Sequence, residues 1–408
     1  MKHKTIFVLL FALPLVSFSQ QGQSSVKEHI QFLASDSLEG RLVGSKGERI
    51  AADYIQSYFQ KIKLAPLTGY NYKQPFAFTY SNNPHTEIKN KDSITGFNVA
   101  GYLNNNAEYT FVIGAHYDHL GVNEYNLSTD VNGKGEIHNG ADDNASGVSA
   151  VLQIADFYSN NDVTENVNFI FVCFSGEELG LMGSKSISDV IKKEFPNTSL
   201  MINFDMIGRM NESNDLNIGG IGTSPNLKSI VEKNKPDNFN IILDQSGVGP
   251  SDHTSFYNLN IPVLFFFTGL HLDYHKPSDD ANKIDYLKKD EIIDYAKLIL
   301  NELSQQPDLE FTKTKYKSKK TNPKFKITLG LFPDYKDYGD GLHIQDVIEG
   351  KVAQKSGLKK GDIITQIGEI KITEIYTYME ALSKLEIELE YTLTFTRDNT
   401  SKTLIIKF

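Results

Sequence analysis

The sequence predicts an α/β protein: a mostly parallel sheet covered by helices on both faces, followed by a smaller β-rich module. Three observations predict it. The apolar runs YTFVIGAH (109–116), NVNFIFVCF (166–174), SLMINFDMIG (199–208) and IPVLFFF (261–267) read as strands and lack the polar alternation of a half-solvated sheet. Helical patterns such as ASGVSAVLQIADFYSN separate them, and that alternation indicates parallel strands joined by crossovers. Beyond residue 304 the composition changes to a polar, lysine-rich stretch and then to short strand patterns with glycine turns.

Taken in order, residues 1–20 (MKHKTIFVLLFALPLVSFSQ) combine a basic start, an apolar run and small residues, the pattern of a secretory signal peptide rather than of a membrane span. The larger domain covers 21–304. It opens with helical patterns at VKEHIQFLAS and GERIAADYIQSYFQKI, where apolar residues recur at three and four. It closes with the amphipathic YLKKDEIIDYAKLILNELS. Residues 305–323 read as a linker and 324–408 as the small β-rich domain.

The chain of 408 residues carries a formal charge of −10, more negative still without the two lysines of the leader. Such an acidic protein lacks the clustered cations that nucleic acid requires. No transmembrane segment is expected in the mature chain, which reads as exported, to the periplasm or the medium. The single cysteine, Cys173, lies inside an apolar strand and excludes an intramolecular disulfide.

In open α/β sheets ligands gather beyond the carboxyl ends of the strands. After the first strand comes HYDH, with His116, Asp118 and His119, and before the next helix GADDNASG, with Asp142 and Asp143. The second strand leads to Glu177 and Glu178, the third to Asp205, and the fourth through His271 and Asp273 to Tyr274 and His275. Imidazole and carboxylate without thiolate is the donor set of catalytic zinc, and there is enough of it for two ions. So many acids at one sheet edge would repel one another unless a cation neutralised them.

These residues resemble the M28-type zinc aminopeptidases, through AHYDH, GADDNASG, SGEELGLMGS, NFDMIG, SDHTSF and YHKPSDD, in that order over residues 25–303. The resemblance implies two zinc ions per chain and peptide substrates. Asp143 would bridge the ions, His116 and Asp205 completing one site, Glu178 and His275 the other. Glu177 corresponds to the general base, Asp118 to the residue that orients the His116 imidazole, and Tyr274 to a phenol that stabilises the oxyanion. A cis peptide between Asp143 and Asn144 is implied as well. Asp252 and His253 are expected to organise structure, and His119, His138 and His271 to serve as hydrogen-bonding loop residues.

The last 85 residues resemble a PDZ domain through VIEGKVAQKSGLKKGDIITQIG, with Leu329, Gly330 and Leu331 as the loop whose amides would receive a peptide C-terminus. Two alternatives remain open. One is a glutaminyl-cyclase-like, single-zinc acyl transferase, disfavoured because that family places Trp before the last His ligand and this chain has no Trp. The other is an inactive scaffold acting through the PDZ module.

Overall fold

The computed structural model of the protein describes residues 21–80, 93–130, 132–314, 327–333, 339–347, 350–373, 375–387 and 389–408. The proposed signal peptide, 1–20, lies outside them. Helix α1 (Gln21–Leu33) is followed by α2 (Lys46–Lys61), whose N-cap Ser45 accepts a hydrogen bond from the Glu48 backbone N–H. Strands β1 (Ala65–Pro66), β2 (Lys73–Phe78), β3 (Ile94–Leu103) and β4 (Tyr109–His116) come next. Then follow α3 (Gly147–Asn160), β5 (Val167–Phe174), α4 (Met182–Glu194), β6 (Thr198–Phe204) and β7 (Asp215–Gly219). Helix α5 (Leu227–Lys233), β8 (Asn240–Leu243), α6 (His253–Tyr257), β9 (Val263–Phe267) and α7 (Tyr286–Leu303) complete the larger domain.

Among the described residues its nine strands form one mixed sheet in the order β1-β3-β5-β4-β6-β9-β7-β8, with β2 also on β3. The centre is parallel: β4 pairs β5 and β6, and β6 pairs β9. Antiparallel pairs flank it, at β3/β5 on one side and β7/β9 on the other. Every residue of β5 and β6 is buried, as expected of strands with helices on both faces, and this explains their unbroken apolar sequence. Helices α3 and α7 pack with Phe111, Phe169 and Phe171 of one face, while Ile187 and Ile191 of α4 cover Val112, Ile170 and Val172 of the other.

The segment 305–314, assigned from sequence to the linker, lies against this domain. Leu309 is buried in its core, Phe311 packs at a tilt against Tyr257, and the Thr312 N–H donates to the Thr223 carbonyl over 2.8 Å. Among the described residues the smaller domain is a six-stranded antiparallel sheet of β10 (Leu331–Pro333), β11 (Leu342–Val347), β12 (Ile363–Ile367), β13 (Ile370–Lys371), β14 (Glu390–Arg397) and β15 (Thr400–Lys407), with short α8 (Val352–Lys355) and α9 (Ile375–Lys384). It has its own core, including Leu342, Ile364, Ala381 and Leu393. Among the described residues no helix is long and apolar enough to cross a membrane.

Candidate active site

Four strand ends converge on one cavity of about 460 Å³, lined on one side by His116, Asp143, Glu177, Glu178, Asp205 and His275. His116 is the last residue of β4, and Asp205 follows β6 directly. Glu177 and Glu178 come after the Ser175–Gly176 turn that ends β5, with Gly176 at a φ of 70°. His275 sits in the loop beyond β9, held by Thr129, whose N–H donates to the His275 carbonyl over 3.0 Å and whose hydroxyl donates to the Tyr274 carbonyl over 2.6 Å.

The paired aspartates have separate surroundings. Asp142 turns away from the cavity: its Oδ1 accepts from the Gly208 N–H at 2.6 Å and its Oδ2 lies 3.1 Å from His271 Nε2. Asp143 faces the cavity, and its peptide bond to Asn144 is cis, as the resemblance implied. Asp279 receives the backbone N–H groups of both Asp142 and Asp143, over 3.0–3.1 Å. Asn144 accepts from the N–H groups of Gly147 and Met206 and donates to the Phe204 carbonyl, which locks this turn to the end of β6.

Two groups of donors that could hold a metal ion share Asp143. Asp143 Oδ1 lies 3.4 Å from His116 Nε2, which is also 3.4 Å from Asp205 Oδ1. The other oxygen, Asp143 Oδ2, lies 3.2 Å from His275 Nε2, itself 3.1 Å from Glu178 Oε2. Atoms bound to a common tetrahedral zinc at 2.0–2.1 Å stand about 3.3 Å apart, and these imidazole–carboxylate spacings are of that size. Ligand atoms of His116, Asp143 and Asp205 all lie within 4.8 Å of one another, and so do those of His119, Asp143 and Glu178. Both imidazoles also have the right tautomer enforced. His116 Nδ1 lies 3.2 Å from the Asp118 carbonyl and His275 Nδ1 lies 3.1 Å from the Leu127 carbonyl. A carbonyl can only accept, so each Nδ1 carries the proton and each Nε2 offers a lone pair to the carboxylates opposite. Two electron-rich groups facing each other need a positive charge between them, supplied by a metal ion or, without one, by a second proton on the imidazole.

Charge balance says the same. Burial alone would lower the pKa of His116, but Asp205, Glu177 and Asp143 raise it well above the usual histidine range; Glu178 and Asp143 do so for His275. Burial raises Glu178 too, yet His275 and His119 bring it well below the carboxylate range. Glu177 goes the other way: burial holds its pKa well up, against the pull of His116 and with added repulsion from Glu178, Asp252 and Asp205.

Asp118 differs from the sequence expectation in detail. Alternation along a continuing strand would set its carboxylate beside His116, but β4 ends at His116. The carboxylate is 3.9 Å from His116 Nδ1, and it is the Asp118 carbonyl that takes the imidazole N–H. Asp118 Oδ1 instead accepts the Glu177 N–H at 3.1 Å, tying the two loops together, and burial pushes its pKa up to about 8 against the opposing pull of His116. Tyr274 lines the cavity with its ring stacked on His275, centroids 3.9 Å apart. His253 stacks on Phe265, and Asp252 is fully buried.

Residues 98–300 match the model of peptidase family M28, and residues 313–408 that of the PDZ domain. Residues 98–300 form a peptidase family M28 domain. Among curated relatives it is 29% identical over 213 residues to the alkaline phosphatase isozyme conversion protein of Escherichia coli, covering 50% of this chain and 58% of that one. It is 27% identical over 230 residues to a probable leucine aminopeptidase of Arthroderma benhamiae, covering 52% and 57%. The matched region thus spans little more than half of those proteins. The fold is that of a zinc aminopeptidase from Bacillus subtilis (TM-score 0.55, 18% identity, 71% of this chain and 95% of that one). It is equally that of Porphyromonas gingivalis glutaminyl cyclase (TM-score 0.56, 17% identity, 69% and 98%).

Two residues of this site were not singled out by sequence, and a third, His119, was read only as a hydrogen-bonding loop residue. Arg41 is fully buried and donates to the carbonyls of Leu33, Tyr117, Asn139 and Gly140, joining the loops that carry His116 and Asp143. Asp279 lies in the quoted KPSDD motif, but nothing local says that it caps the Asp142–Asp143 turn. His119, read as a loop residue, is fully buried against Glu178. In the PDZ domain, Leu329 belongs to the core and the Gly330 N–H donates to Thr328 Oγ1 at 3.1 Å, so these contacts do not support a carboxylate-receiving role for Leu329, Gly330 and Leu331.

Proposed function

We propose that this chain is an exported aminopeptidase that binds two zinc ions and hydrolyses the N-terminal peptide bond of peptides. One observation carries the two-ion reading: the oxygens of Asp143 address separate donor sets, Oδ1 toward His116 and Oδ2 toward His275. His116, Asp143 and Asp205 would hold one ion, and Asp143, Glu178 and His275 the other. When bound, the ions supply Lewis acidity, polarising the scissile carbonyl and making water a better acid.

The chain's own groups do the rest. Glu177 takes a proton from the attacking water as its oxygen bonds to the carbonyl carbon, and returns it to the amide nitrogen as the C–N bond breaks. Tyr274 is the candidate donor to the oxyanion. The same cavity is also lined by Met206, Leu243, Val248, Phe267 and Leu270, which suit an apolar side chain at the substrate N-terminus. The shared fold with glutaminyl cyclases makes a single-zinc acyl transferase the rival reading; the two-sided Asp143 and the absence of Trp favour the hydrolase.

The test is Glu177→Gln, which keeps size and metal donors but removes the base. Turnover of an aminoacyl reporter should fall about 10²- to 10⁴-fold with zinc content unchanged. Near-normal turnover would refute the assignment. With wild type, a peptide blocked at its N-terminus should resist cleavage while one blocked at its C-terminus is cut; cyclisation of an N-terminal glutamine without hydrolysis would support the rival.

A further inference from the structure

His119 stands beside the second donor set, its ligand nitrogen within 4.8 Å of ligand atoms of Asp143 and Glu178. His119 is 0% exposed, and its Nδ1 lies 2.7 Å from Glu178 Oε1. That spacing is a charge-assisted hydrogen bond, shorter than the roughly 3.3 Å that separates two atoms bound to one zinc. The other Glu178 oxygen, Oε2, is the one that faces His275, at 3.1 Å. Toward Asp143 Oδ2 the His119 nitrogen is 3.8 Å away, beyond a hydrogen bond. The ring has little freedom to leave: a methyl group in place of a hydrogen on Gly140, at φ +56°, would come within 2.6 Å of its carbons.

Resting on the two-ion reading above, we infer that His119 is a positioning residue for the second ion: its Nδ1–H occupies Glu178 Oε1, so that Glu178 offers Oε2 alone, aimed at the space shared with His275 and Asp143. The physical reason is conformational. A carboxylate with both oxygens free can rotate about its last bond or chelate through both, and either displaces the oxygen from the position that completes the tetrahedron. A buried donor fixed to one oxygen removes those alternatives before an ion arrives. It also makes the sites unequal, because among the described residues no imidazole other than His116 is within hydrogen-bond distance of Asp205. His119 touches neither substrate nor reacting atoms in this assignment; it acts through Glu178.

The experiment is a zinc titration of the metal-free full chain in competition with a chromophoric chelator, with wild type, His119→Ala and His119→Asn. Asn carries an amide N–H close to the place of Nδ1 and so retains the donor. Wild type should bind two ions. His119→Ala should weaken one of them about 10- to 100-fold, the effect expected when a hydrogen-bond partner of a ligand is removed, and leave the other unchanged. His119→Asn should restore most of the loss. Two full-affinity ions in His119→Ala would overturn the role of His119. So would an Asn variant as weak as Ala, which would make the imidazole itself a ligand. A wild type that binds one ion would instead overturn the two-ion reading, whatever the variants do. Should the Ala variant fail to fold, as judged by circular dichroism, the Asn variant decides: near-wild-type binding is expected, and loss of one ion refutes the inference.

Discussion

Lys289 should make the protein less stable than its near-isosteric replacement, in a manner that depends on pH. The residue lies on the inward face of α7, is 0% exposed, and its Nζ has no hydrogen-bond partner among the described residues. Burial lowers its pKa from 10.5 to about 7, opposed by Asp290 and Asp142. The native state therefore binds the proton less tightly than the unfolded chain does. Below pH 7 the amine is charged in both states and the folded protein bears the whole desolvation penalty. As pH rises from 7 toward 10.5 the unfolded chain gives up its advantage, and stability increases. A shift of this size corresponds to about 4 kcal/mol at pH 7 and about 2 kcal/mol at pH 9. Lys289→Met keeps the unbranched stem and removes the ammonium, so the variant should exceed wild type by amounts of that order, and the excess should shrink by about half between the two pH values. Calorimetric unfolding of the larger domain in parallel for both proteins measures it. An excess that stays flat from pH 7 to 9, or a less stable Met variant, would refute the premise of an unpaired buried amine.

Two further outcomes follow from the same structure. Asp143→Ala removes the carboxylate that faces both donor sets, so zinc content should fall from two equivalents toward none; retention of one full equivalent would contradict bridging. Deletion of residues 315–408 should leave a soluble domain, because Leu309 and Phe311 remain to cover the core. The truncated protein should turn over a small aminoacyl reporter with little change, while long peptides with free apolar C-termini lose about tenfold or more in apparent affinity. The cavity rim includes Ile375 of α9, so an equal loss for both substrates would mean that the PDZ domain shapes the catalytic cleft rather than capturing peptides.

What the sequence determined by itself was whatever is encoded over a few neighbouring residues. Unbroken apolar runs announced β4, β5, β6 and β9, because strands covered on both faces have no polar side to display. The three-and-four spacing announced α2, α3 and α7. The rule that ligands gather at strand ends then brought His116, Asp143, Glu178, Asp205 and His275 into one neighbourhood before any coordinate was known. Strands β3, β7 and β8 were not legible: ITGFNVAGYL is broken by glycine and polar residues, and DLNIG and NIIL are too short for a period to register. Tertiary structure alone decided matters of separation and direction. It ended β4 at His116 and so turned the Asp118 carboxylate to Glu177; it set Asp279 beneath residues more than a hundred positions away. It also separated two histidines of similar appearance, aiming His275 Nε2 at both Asp143 and Glu178 while His119 hydrogen-bonds one oxygen of Glu178. A residue's type states which protons and lone pairs it has, but only the packing of distant segments states which partner lies within three ångströms of them.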